Sequence, residues 1–321
     1  MKIQAIGKYV PENVLTNQDL EKIMDTSNDW IVSRTGIKKR HITTDDTTSS
    51  LAVKAAQNIL NNSQIKATEI DFIIVATMTP DSHSPSVAAI VQSEIGANSV
   101  MAFDVSAACS GFVYALSIAE KMLQAESVEY GLVIGAETMS QTIDWSDRST
   151  AVLFGDGAGG VIVKSSIESS LLAEDIHADG KKGNALVSGK IVNDAKTGND
   201  KWRRSPLTMD GRDIYNFVVK EVPNSIRTVT KKANLELKDI DYFLLHQANE
   251  RLIKQVSKKL ALDSTKFPSN IAEYGNTSAA SIPLLLAELV ENQTIQLESG
   301  QKLLLSGFGG GLTWGSLVIT I

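Results

Sequence analysis

The stretch Met101-Ala-Phe-Asp-Val-Ser-Ala-Ala-Cys-Ser-Gly-Phe112 joins a predicted strand to a predicted helix and contains the only cysteine of the chain, Cys109. Residues 100–105 have the apolar pattern of a buried strand, and apolar residues recur at helical spacing from Phe112 onward. Cys109 is therefore expected just before a helix N-terminus, which stabilises negative charge and favours a thiolate. A lone cysteine is also often a small buried hydrophobic residue, and this stretch by itself slightly favours that interpretation.

Length and composition narrow the class of protein. The chain has 321 residues, enough for two domain-sized halves, and its 43% hydrophobic and 21% charged residues are typical of a soluble globular protein. One cysteine excludes an internal disulfide framework and a cysteine-cluster metal site, and it fits a reducing cytoplasm. The net charge of −6 argues against general nucleic-acid binding. No membrane span, signal peptide or metal-ligand spacing of histidines is evident, so none of these is expected.

Two segments of the first half recur in the second half in the same order. Residues 69–75 resemble residues 239–245, and residues 106–110 resemble residues 278–282. Counted from the strand aspartate to the first serine of the later segment, the spacing is 35 residues in the first half and 37 in the second. The chain therefore contains a duplication with a period near 170 residues.

The duplication predicts an α/β fold of two similar halves, residues 1–165 and 166–321, with mixed sheets packed face to face. A pseudo-twofold axis would bring Cys109 from the first half opposite His246 and Asn276 from the second.

Two other stretches give local predictions. Residues 151–154 and 160–163 are expected to form a hairpin that turns at residues 155–157. Residues 181–206 are polar and aperiodic, and they are expected to form a surface excursion, either a functional or a disordered loop.

Three further motifs carry groups suited to catalysis. His246-Gln-Ala-Asn249 follows an apolar strand, so its histidine is placed to enter a cleft, although a lone histidine is more often a core residue. The asparagine of Gly275-Asn-Thr-Ser-Ala-Ala-Ser281 is equally typical of a helix N-cap. Gly307-Phe-Gly-Gly-Gly311 has no helix after it, which argues against a phosphate loop, but its backbone N–H groups could stabilise an oxyanion. Together with Cys109 these motifs indicate acyl transfer.

These motifs, with Trp30-Ile-Val-Ser-Arg-Thr-Gly36 and residues 147–157, resemble the β-ketoacyl-acyl carrier protein synthase III family along essentially the whole chain. This family comprises the initiating condensing enzymes of type II fatty-acid synthesis. The resemblance implies a duplicated thiolase fold of the α/β class, with five α/β/α/β/α layers and two mixed sheets. It also implies an acyltransferase that joins an acyl-CoA primer, acetyl or short or branched, to malonyl-acyl carrier protein by a decarboxylative Claisen condensation.

The resemblance implies roles for four residues. Cys109 would be the nucleophile that takes the acyl group, and the backbone N–H groups of Cys109 and Gly310 would form the oxyanion hole. His246 and Asn276 would donate hydrogen bonds to the malonyl thioester and stabilise the enolate formed as carbon dioxide leaves. Elongating synthases and thiolases have a second histidine at the asparagine position, so Asn276 favours the initiating branch.

The same resemblance implies substrate-binding residues. For the CoA nucleotide, Trp30 and Arg148 are expected to stack on the adenine and Arg34 to contact a phosphate. The residues expected to line the tunnel for the pantetheine arm are Thr26, Met209, Gly211 and Asn249. Arg251, Lys254 and Lys258 lie on one helix face and are expected to dock the acidic carrier protein, although such a face is also typical of a merely solvated helix. Ser84 stands where some members have a bulky aromatic residue that limits the primer pocket across the dimer interface. We therefore expect primers longer or more branched than acetyl to be accepted.

The resemblance further implies a cytoplasmic homodimer that needs no cofactor or metal and binds acyl-CoA and malonyl-acyl carrier protein, but no nucleic acid or membrane. The alternatives are a condensing enzyme of a secondary pathway, a hydroxymethylglutaryl-CoA synthase and a non-catalytic homologue that binds acyl carrier protein. The second needs a glutamate base, for which no candidate is evident near Cys109 or His246, and the third would be expected to lack Cys109, His246 or Asn276. A redox-sensing protein with one cysteine would leave the histidine, asparagine and glycine loop unexplained.

Overall fold

The computed structural model describes residues 1–193 and 202–321. In these ranges the strands are β1 (Lys2–Tyr9), β2 (Val14–Thr16), β3 (Lys39–His41), β4 (Phe72–Ala76), β5 (Met101–Val105), β6 (Tyr130–Thr138), β7 (Asp156–Lys164), β8 (Leu171–Ala178), β9 (Leu186–Val187), β10 (Ile191–Asn193), β11 (Trp202–Arg204), β12 (Thr208–Met209), β13 (Tyr242–Leu245), β14 (Lys302–Gly309) and β15 (Thr313–Thr320). The helices are α1 (Asn17–Glu21), α2 (Asn28–Thr35), α3 (Thr48–Asn61), α4 (Val87–Glu94), α5 (Gly111–Met122), α6 (Arg148–Ala151), α7 (Gly211–Lys232), α8 (Glu250–Leu260), α9 (Ile271–Tyr274) and α10 (Ser281–Glu291). Two 3₁₀ turns, Ala108–Ser110 and Ser278–Ala280, lead into α5 and α10.

Two sheets with the same connectivity form the framework. The first has the strand order β1-β7-β6-β4-β5, and the second has the order β8-β15-β14-β13. In each sheet one parallel pair, β4 with β6 or β13 with β14, continues into two antiparallel pairings. The predicted duplication is therefore confirmed in the topology, with β5 added to the first sheet. The predicted boundary at residue 165 lies in the connection between β7 and β8. The division of the chain into two domain-sized halves stays a prediction.

The helices form three layers around the two sheets. On the outer face of the first sheet, α3 and α4 pack on Ile73 and Val75 of β4. On its inner face, α5 and α10 pack on Phe72 and Ile74, and they also meet Leu305 of the second sheet. The outer face of the second sheet is covered by α7 and α8. Successive strand residues point to opposite faces, so a strand between two helical layers is apolar throughout. The expected five-layer arrangement is confirmed.

The turns that lead into α5 and α10 are equivalent positions of the two halves. Their first residues, Ala108 and Ser278, both have left-handed backbone angles, with φ of +47° and +49°. This equivalence pairs Ser106 with Asn276, two positions away from the alignment expected from the sequence. With the corrected pairing, the spacing from the strand aspartate is the same in both halves.

The hairpin predicted for residues 151–163 is wrong. Residues up to Ala151 belong to the short helix α6, and Phe154 forms an isolated parallel bridge with Asn276. The N–H of Gly155 donates to the Asn276 carbonyl at 3.1 Å. This stretch is therefore held by the second half of the molecule, and β7 begins only at Asp156.

The predicted burial of residues 100–105 is also wrong. β5 is the edge strand of the first sheet, and Met101 at its start is 62% exposed. An apolar run is therefore compatible here with a strand that has one neighbour only.

The segment expected as a surface excursion, residues 181–206, lies partly outside the described residues. In its described part, β9 pairs with β12 and β10 pairs with β11. Leu186 faces a cavity, and Leu207, the first residue after the segment, is buried and faces the same cavity. The segment therefore contributes apolar side chains to the interior as well as a polar surface.

Candidate active site

A cavity of about 400 Å³ brings together residues that follow the strand ends of both halves. Met78 and Met139 lie just after β4 and β6, and His246 lies immediately after β13. The carboxyl ends of parallel strands meet at one edge of a sheet, which is the usual place for a ligand in such sheets. Cys109, His246 and Asn276 all line the cavity, as the predicted pseudo-twofold axis requires.

The turn that carries Cys109 is fastened to the glycine loop of the other half by two hydroxyl groups. The Ser110 hydroxyl lies 2.7 Å from the Ala107 carbonyl and 2.8 Å from the Thr313 hydroxyl. The Thr313 hydroxyl lies 3.0 Å from the Ala107 carbonyl and 2.8 Å from that of Gly310. This network fixes the nucleophile turn relative to β15.

The Cys109 thiol is almost fully buried, with 6% of the residue exposed. Burial raises the pKa of the thiol to about 12, a hydrogen bond with Ser278 opposes the rise, and the charge of Glu137 adds to it. Burial therefore opposes the thiolate that the helix N-terminus was expected to favour, and the alternative of a small buried cysteine agrees with the structure. A helix N-terminus stabilises a charge by about 2 kcal/mol at most, and desolvation outweighs it here. The thiol must lose its proton when it reacts.

His246 is buried and neutral, and one neighbour fixes its tautomer. Burial lowers the pKa of the imidazole to about 3. Ser281 Oγ lies 2.7 Å from Nδ1 of His246 and accepts the backbone N–H of Gln247 at 3.3 Å. A hydroxyl has one proton, and Nδ1 is the acceptor within its reach, so Ser281 donates to Nδ1. Nε2 therefore carries the imidazole proton and acts as a hydrogen-bond donor.

Asn276 is held by its backbone and oriented by its side-chain oxygen. Its backbone N–H donates to the Leu153 carbonyl at 2.8 Å. Its Oδ1 accepts the backbone N–H of Ser278 at 2.9 Å. Since Oδ1 is engaged, the Nδ2 amino group is the part of this side chain that can donate to a ligand in the cavity. The predicted alternative of a helix N-cap is wrong, because α10 begins only at Ser281 after an intervening 3₁₀ turn.

The glycine loop packs directly against the thiol. A Cβ placed on Gly309 would lie 3.0 Å from the backbone nitrogen of Cys109 and 3.2 Å from its Sγ. Only glycine allows this approach without displacement. Gly310, the predicted oxyanion donor, follows at the next position and does not line the cavity. Its role stays a prediction.

One end of the cavity carries an aromatic ring with two guanidinium groups close to it. The guanidinium carbon of Arg34 lies 5.1 Å from the Trp30 ring centroid, and that of Arg148 lies 5.3 Å from it. Arg148 also donates to the Asp25 carbonyl at 2.6 Å. The structure thus brings together the three residues that the sequence assigned to the CoA nucleotide, and Trp30 and Arg34 line the cavity.

Three of the four residues predicted for the pantetheine arm line the same cavity, namely Met209, Gly211 and Asn249. Asn249 caps α8, and its Nδ2 donates to the Arg34 carbonyl at 3.1 Å. Thr26 lies outside the lining, in the loop before α2, and its buried Oγ1 has no hydrogen-bond partner within the described ranges.

The predicted docking residues form an exposed row along α8. Arg251, Lys254 and Lys258 are all exposed, while Leu252 and Val256 of the same helix are buried. Arg251 lines the cavity and donates through Nε to the Ser33 carbonyl at 2.9 Å. Lys254 forms an exposed ion pair with Glu250 at 2.8 Å. The row therefore begins at the cavity and runs away from it.

Ser84 is exposed and does not line the cavity of this chain. Its predicted role is to reach the primer pocket of a second chain, and that role stays a prediction.

Comparison with known proteins identifies the family. A family model described as 3-oxoacyl-[acyl-carrier-protein (ACP)] synthase III matches residues 103–180, and its C-terminal model matches residues 230–321. A beta-ketoacyl-[acyl-carrier-protein] synthase III of Streptococcus mutans is 54% identical over 321 residues, covering 100% of this chain and 99% of that protein. The chain belongs to the β-ketoacyl-[acyl-carrier-protein] synthase III family. It is a transferase of the condensing-enzyme class of fatty-acid biosynthesis.

Solved structures of synthase III proteins share the fold. The chain superposes on the 3-oxoacyl-[acyl-carrier-protein] synthase III of Aquifex aeolicus with a TM-score of 0.92 and 41% identity, covering 100% of this chain and 99% of that one. The priming β-ketosynthase of the R1128 polyketide biosynthetic pathway gives a TM-score of 0.93 at 31% identity, covering 100% and 96%. The expected thiolase fold is confirmed.

Sequence reasoning missed a buried glutamate of this synthase III site, Glu137. It is the next-to-last residue of β6 and is fully buried. A charged residue at the end of an apolar strand, beside the end of the parallel strand β4, was a signal that could have indicated it. The statement that no candidate glutamate lies near Cys109 is therefore wrong, although Glu137 does not line the cavity.

The apolar lining was also missed. Leu186 comes from the segment predicted as a polar excursion, Leu207 follows directly after it, and Phe308 comes from the glycine loop. Their places in the lining depend on contacts distant in sequence. Met78 and Met139 follow β4 and β6, which are parallel neighbours in the sheet. The sequence does not show that these two strands are neighbours, so it could not place the two methionines in one cavity.

Neither a metal cluster nor a membrane helix is found in residues 1–193 and 202–321. No group of three or more His, Cys, Asp and Glu side chains there could hold a metal ion. No helix of those ranges is long and apolar enough to cross a bilayer.

Proposed function

We propose that this protein condenses an acyl-CoA primer with malonyl-acyl carrier protein to give β-ketoacyl-acyl carrier protein, and so initiates type II fatty-acid synthesis. The observation that carries the proposal is one largely apolar cavity that holds a thiol, a neutral imidazole with Nε2 as donor and an amide with Nδ2 as donor. These groups suit two successive steps, acyl transfer and decarboxylative condensation.

In the first step, the Cys109 thiol loses its proton and Sγ attacks the thioester carbonyl of acyl-CoA. The bond to the CoA sulfur breaks, that sulfur leaves with the electron pair and takes up a proton, and the acyl group stays on Cys109. The backbone N–H groups of Cys109 and Gly310 stabilise the oxyanion of the tetrahedral intermediate. Support comes from the glycine loop, which packs on Cys109. Such a donor contributes about 10²–10³-fold in rate.

In the second step, His246 Nε2 and Asn276 Nδ2 donate to the malonyl thioester oxygen. The C–C bond to the carboxylate breaks, and its electron pair stays on carbon as an enolate, so no base is needed. The enolate carbon attacks the acyl–Cys109 carbonyl, the C–S bond breaks, and Cys109 leaves as a thiolate that takes up a proton from solvent. Neutral donors suit this step because they stabilise the enolate oxygen without first protonating the malonyl carboxylate or Cys109.

Two groups of residues at the opening of the cavity suit the binding of the two substrates. Trp30, with Arg34 and Arg148 close to its ring, offers an aromatic ring and positive charge, which fits the adenine and phosphates of CoA. The row of Arg251, Lys254 and Lys258 offers positive charge to an acidic carrier protein at the same mouth. We expect Arg251→Glu to raise KM for malonyl-acyl carrier protein and to leave acylation by acyl-CoA unchanged. Equal losses in both steps would contradict this docking role.

The finer assignments rest on the family resemblance. They are a cytoplasmic homodimer without a cofactor, a partner chain whose Ser84 borders the primer pocket, and a primer longer or more branched than acetyl. Steady-state rates with acetyl-, butyryl- and isobutyryl-CoA test the last one, and a strict preference for acetyl-CoA would refute it.

A condensing enzyme of a secondary pathway would differ in the primer that it prefers. The steady-state rates with the three acyl-CoA primers therefore also test this alternative. The hydroxymethylglutaryl-CoA synthase alternative needs a glutamate that reaches the substrate, and Glu137 lies outside the cavity lining.

The proposal is tested by mixing the protein with acyl-CoA and measuring its mass. We expect one acyl adduct, on Cys109, which malonyl-acyl carrier protein converts into β-ketoacyl product. Cys109→Ala should form no adduct. A non-catalytic homologue would form no adduct in the wild type either.

A further inference from the structure

Each of the two 3₁₀ turns of the site packs on a strand of the other half. The nucleophile turn, Ala108–Ser110, lies on β14, where a Cβ on Gly307 would be 2.8 Å from Cα of the last turn residue. The donor turn, Ser278–Ala280, lies on β6, where a Cβ on Gly135 would overlap a carbonyl group of the turn. Both glycines are the sixth residues of their strands. In both strands the first residue accepts the N–H of the aspartate before the neighbouring parallel strand, so the two contacts are equivalent in the duplication.

The eighth residue of the two strands differs between the halves. In β14 it is Gly309, which has no side chain, and Cys109 faces the cavity beside it. In β6 it is Glu137, which is fully buried on the same strand face as Gly135. A carboxylate therefore stands beside the donor turn at the position where a glycine stands beside the nucleophile turn. Burial of a charge is costly, so this carboxylate needs specific partners.

Glu137 joins the donor turn to the end of β4. Its Oε2 accepts the Thr79 hydroxyl at 2.5 Å and the Thr77 hydroxyl at 3.2 Å. The backbone N–H of Met78 lies 3.1 Å from Oε2. Its Oε1 accepts the Ser278 hydroxyl at 2.9 Å. Three of these donors belong to the first half and fix the carboxylate there, while the fourth ties the donor turn to it.

The donor turn fixes the amide of Asn276. The backbone N–H of Ser278 donates to Oδ1 of Asn276 at 2.9 Å, and no other hydrogen bond reaches that side chain from residues 1–193 and 202–321. Ser278 has a φ of +49°, a left-handed angle that costs a non-glycine residue about 1–3 kcal/mol and persists only where its surroundings hold it. The hydrogen bond from its hydroxyl to Glu137 is such a contact.

We propose that Glu137 is a positioning residue for the condensation step, because it holds the donor turn in the geometry that fixes the Asn276 amide. This inference rests on the proposed function of Asn276. Glu137 lies outside the cavity lining, so it does not touch the substrate. It acts through Ser278, whose hydroxyl is anchored on the carboxylate and whose N–H holds Oδ1 of Asn276.

The first test measures acylation and condensation separately in single turnovers. The protein is acylated on Cys109 with acetyl-CoA and chased with malonyl-acyl carrier protein, and both steps are followed by intact mass. Glu137→Gln keeps the size of the side chain but turns an NH₂ group toward one set of donors. It should slow condensation by at least about tenfold, toward the 10²-fold cost of about one lost oxyanion donor. Its acylation should be no slower than that of the wild type, because the charge of Glu137 raises the pKa of the Cys109 thiol.

Ser278→Ala is the second variant for this test. It removes the hydroxyl and keeps the backbone N–H, and the angle tolerates alanine because Ala108 has φ of +47° in the equivalent turn. This variant should slow condensation as much as Glu137→Gln does. Condensation at the wild-type rate in either variant overturns the positioning role. Thermal unfolding identifies any variant that loses its fold, and the other variant then decides.

A double variant tests whether Glu137 acts through Asn276. In the background of Asn276→Ala there is no amide to position, so Glu137→Gln should change the condensation rate by less than about twofold. Asp175→Asn is the matched control. Asp175 is also a buried carboxylate, but its partners Ser225 and Lys232 do not line the cavity, so its replacement should leave condensation unchanged. Equal slowing by Glu137→Gln with and without the amide overturns the inference.

A readout that needs no activity is the nuclear magnetic resonance signal of the Asn276 side-chain NH₂ group. In protein labelled with the heavy nitrogen isotope at asparagine, this signal is assigned by its loss in Asn276→Ala. It should shift or broaden in Glu137→Gln and stay in place in Asp175→Asn. An unchanged signal in Glu137→Gln overturns the positioning role. Failure of the wild type to take an acetyl group from acetyl-CoA would instead refute the proposed function, and the signal would still decide the role of Glu137.

Discussion

At the scale of single residues, the chemistry of this site is governed by burial. The sequence identified Cys109, His246 and Asn276, because each follows a recognisable strand or turn pattern. It placed the thiol at a helix N-terminus, which favours a thiolate, and it gave a small buried residue as the alternative. Cys109 is buried, and burial raises the pKa of its thiol to about 12. The extent of this desolvation depends on neighbours that are distant in the chain, so no local pattern could reveal it. The same reason hid Glu137.

Ser281 gives a prediction at this scale. Its hydroxyl donates to Nδ1 of His246 and so keeps the proton on Nε2. Ser281→Ala removes that donor and allows the other tautomer, in which Nε2 cannot donate to the enolate. We expect decarboxylation to slow by about 10²-fold, the effect of losing one oxyanion donor. Acylation of Cys109 should be unchanged, and single-turnover measurements separate the two steps. Equal slowing of both would contradict this role.

Glu137 gives a second prediction, on stability. Its folded-state pKa is raised from 4.5 to about 7, so its contribution to stability is fully present below pH 4.5 and is lost as the pH rises through 7. Between these pH values the Glu137→Gln variant should gain stability relative to the wild type, on the order of 3 kcal/mol. Urea unfolding at pH 4.5, 6 and 7.5 measures the difference. A difference independent of pH would show that Glu137 keeps an ordinary pKa in the fold.

At the scale of elements, the strands and the central helices followed from periodicity, while the segments that complete the site did not. Residues 151–154 were expected as a strand because they are apolar. In the structure they are fixed by Asn276 of the other half, through a bridge at Phe154. The repeat was recognised, but its register was two residues wrong, because only the shared left-handed angle of Ala108 and Ser278 aligns the turns.

The end of β14 provides a prediction at this scale. A Cβ on Gly309 would lie 3.0 Å from Cβ of Cys109 and 3.2 Å from its Sγ. Gly309→Ala should therefore displace the thiol, slow its acylation by at least about tenfold and reduce the free energy of unfolding by about 1–3 kcal/mol. Gly180→Ala is the control, because a Cβ there meets nothing within 4 Å. Normal acylation of Gly309→Ala would show that the loop adjusts without affecting the nucleophile.

At the scale of the whole molecule, the duplication explains why the site needs both halves. The proposed nucleophile, Cys109, comes from one half, and the two proposed enolate-stabilising donors, His246 and Asn276, come from the other. The two sheets share their strand order, so their turns meet at one place. This much of the architecture could be predicted from the repeat. The position of β5 at the edge of the first sheet could not be predicted from the repeat, because no strand of the second sheet corresponds to β5.

The exposed edge of β5 supports the prediction of a homodimer. Met101 is 62% exposed on a strand with one neighbour, which leaves backbone groups able to pair with a second chain. Sedimentation should give twice the chain mass of 34.6 kDa. Met101→Lys should shift the equilibrium toward single chains. A wild-type protein that sediments as a single chain at micromolar concentration would refute the homodimer.

Within the cavity, Cys109 is proposed to take the acyl group, whereas His246 and Asn276 are proposed to act only in the condensation. The most direct measurement is a chase of protein acylated on Cys109 with malonyl-acyl carrier protein, followed by mass, for the wild type, His246→Ala and Asn276→Ala. We predict that all three carry the acyl group, that the wild type transfers it into β-ketoacyl product, and that both variants keep it on Cys109 without releasing carbon dioxide. Loss of acylation in either variant, or normal turnover of the acyl group in either one, would contradict the account.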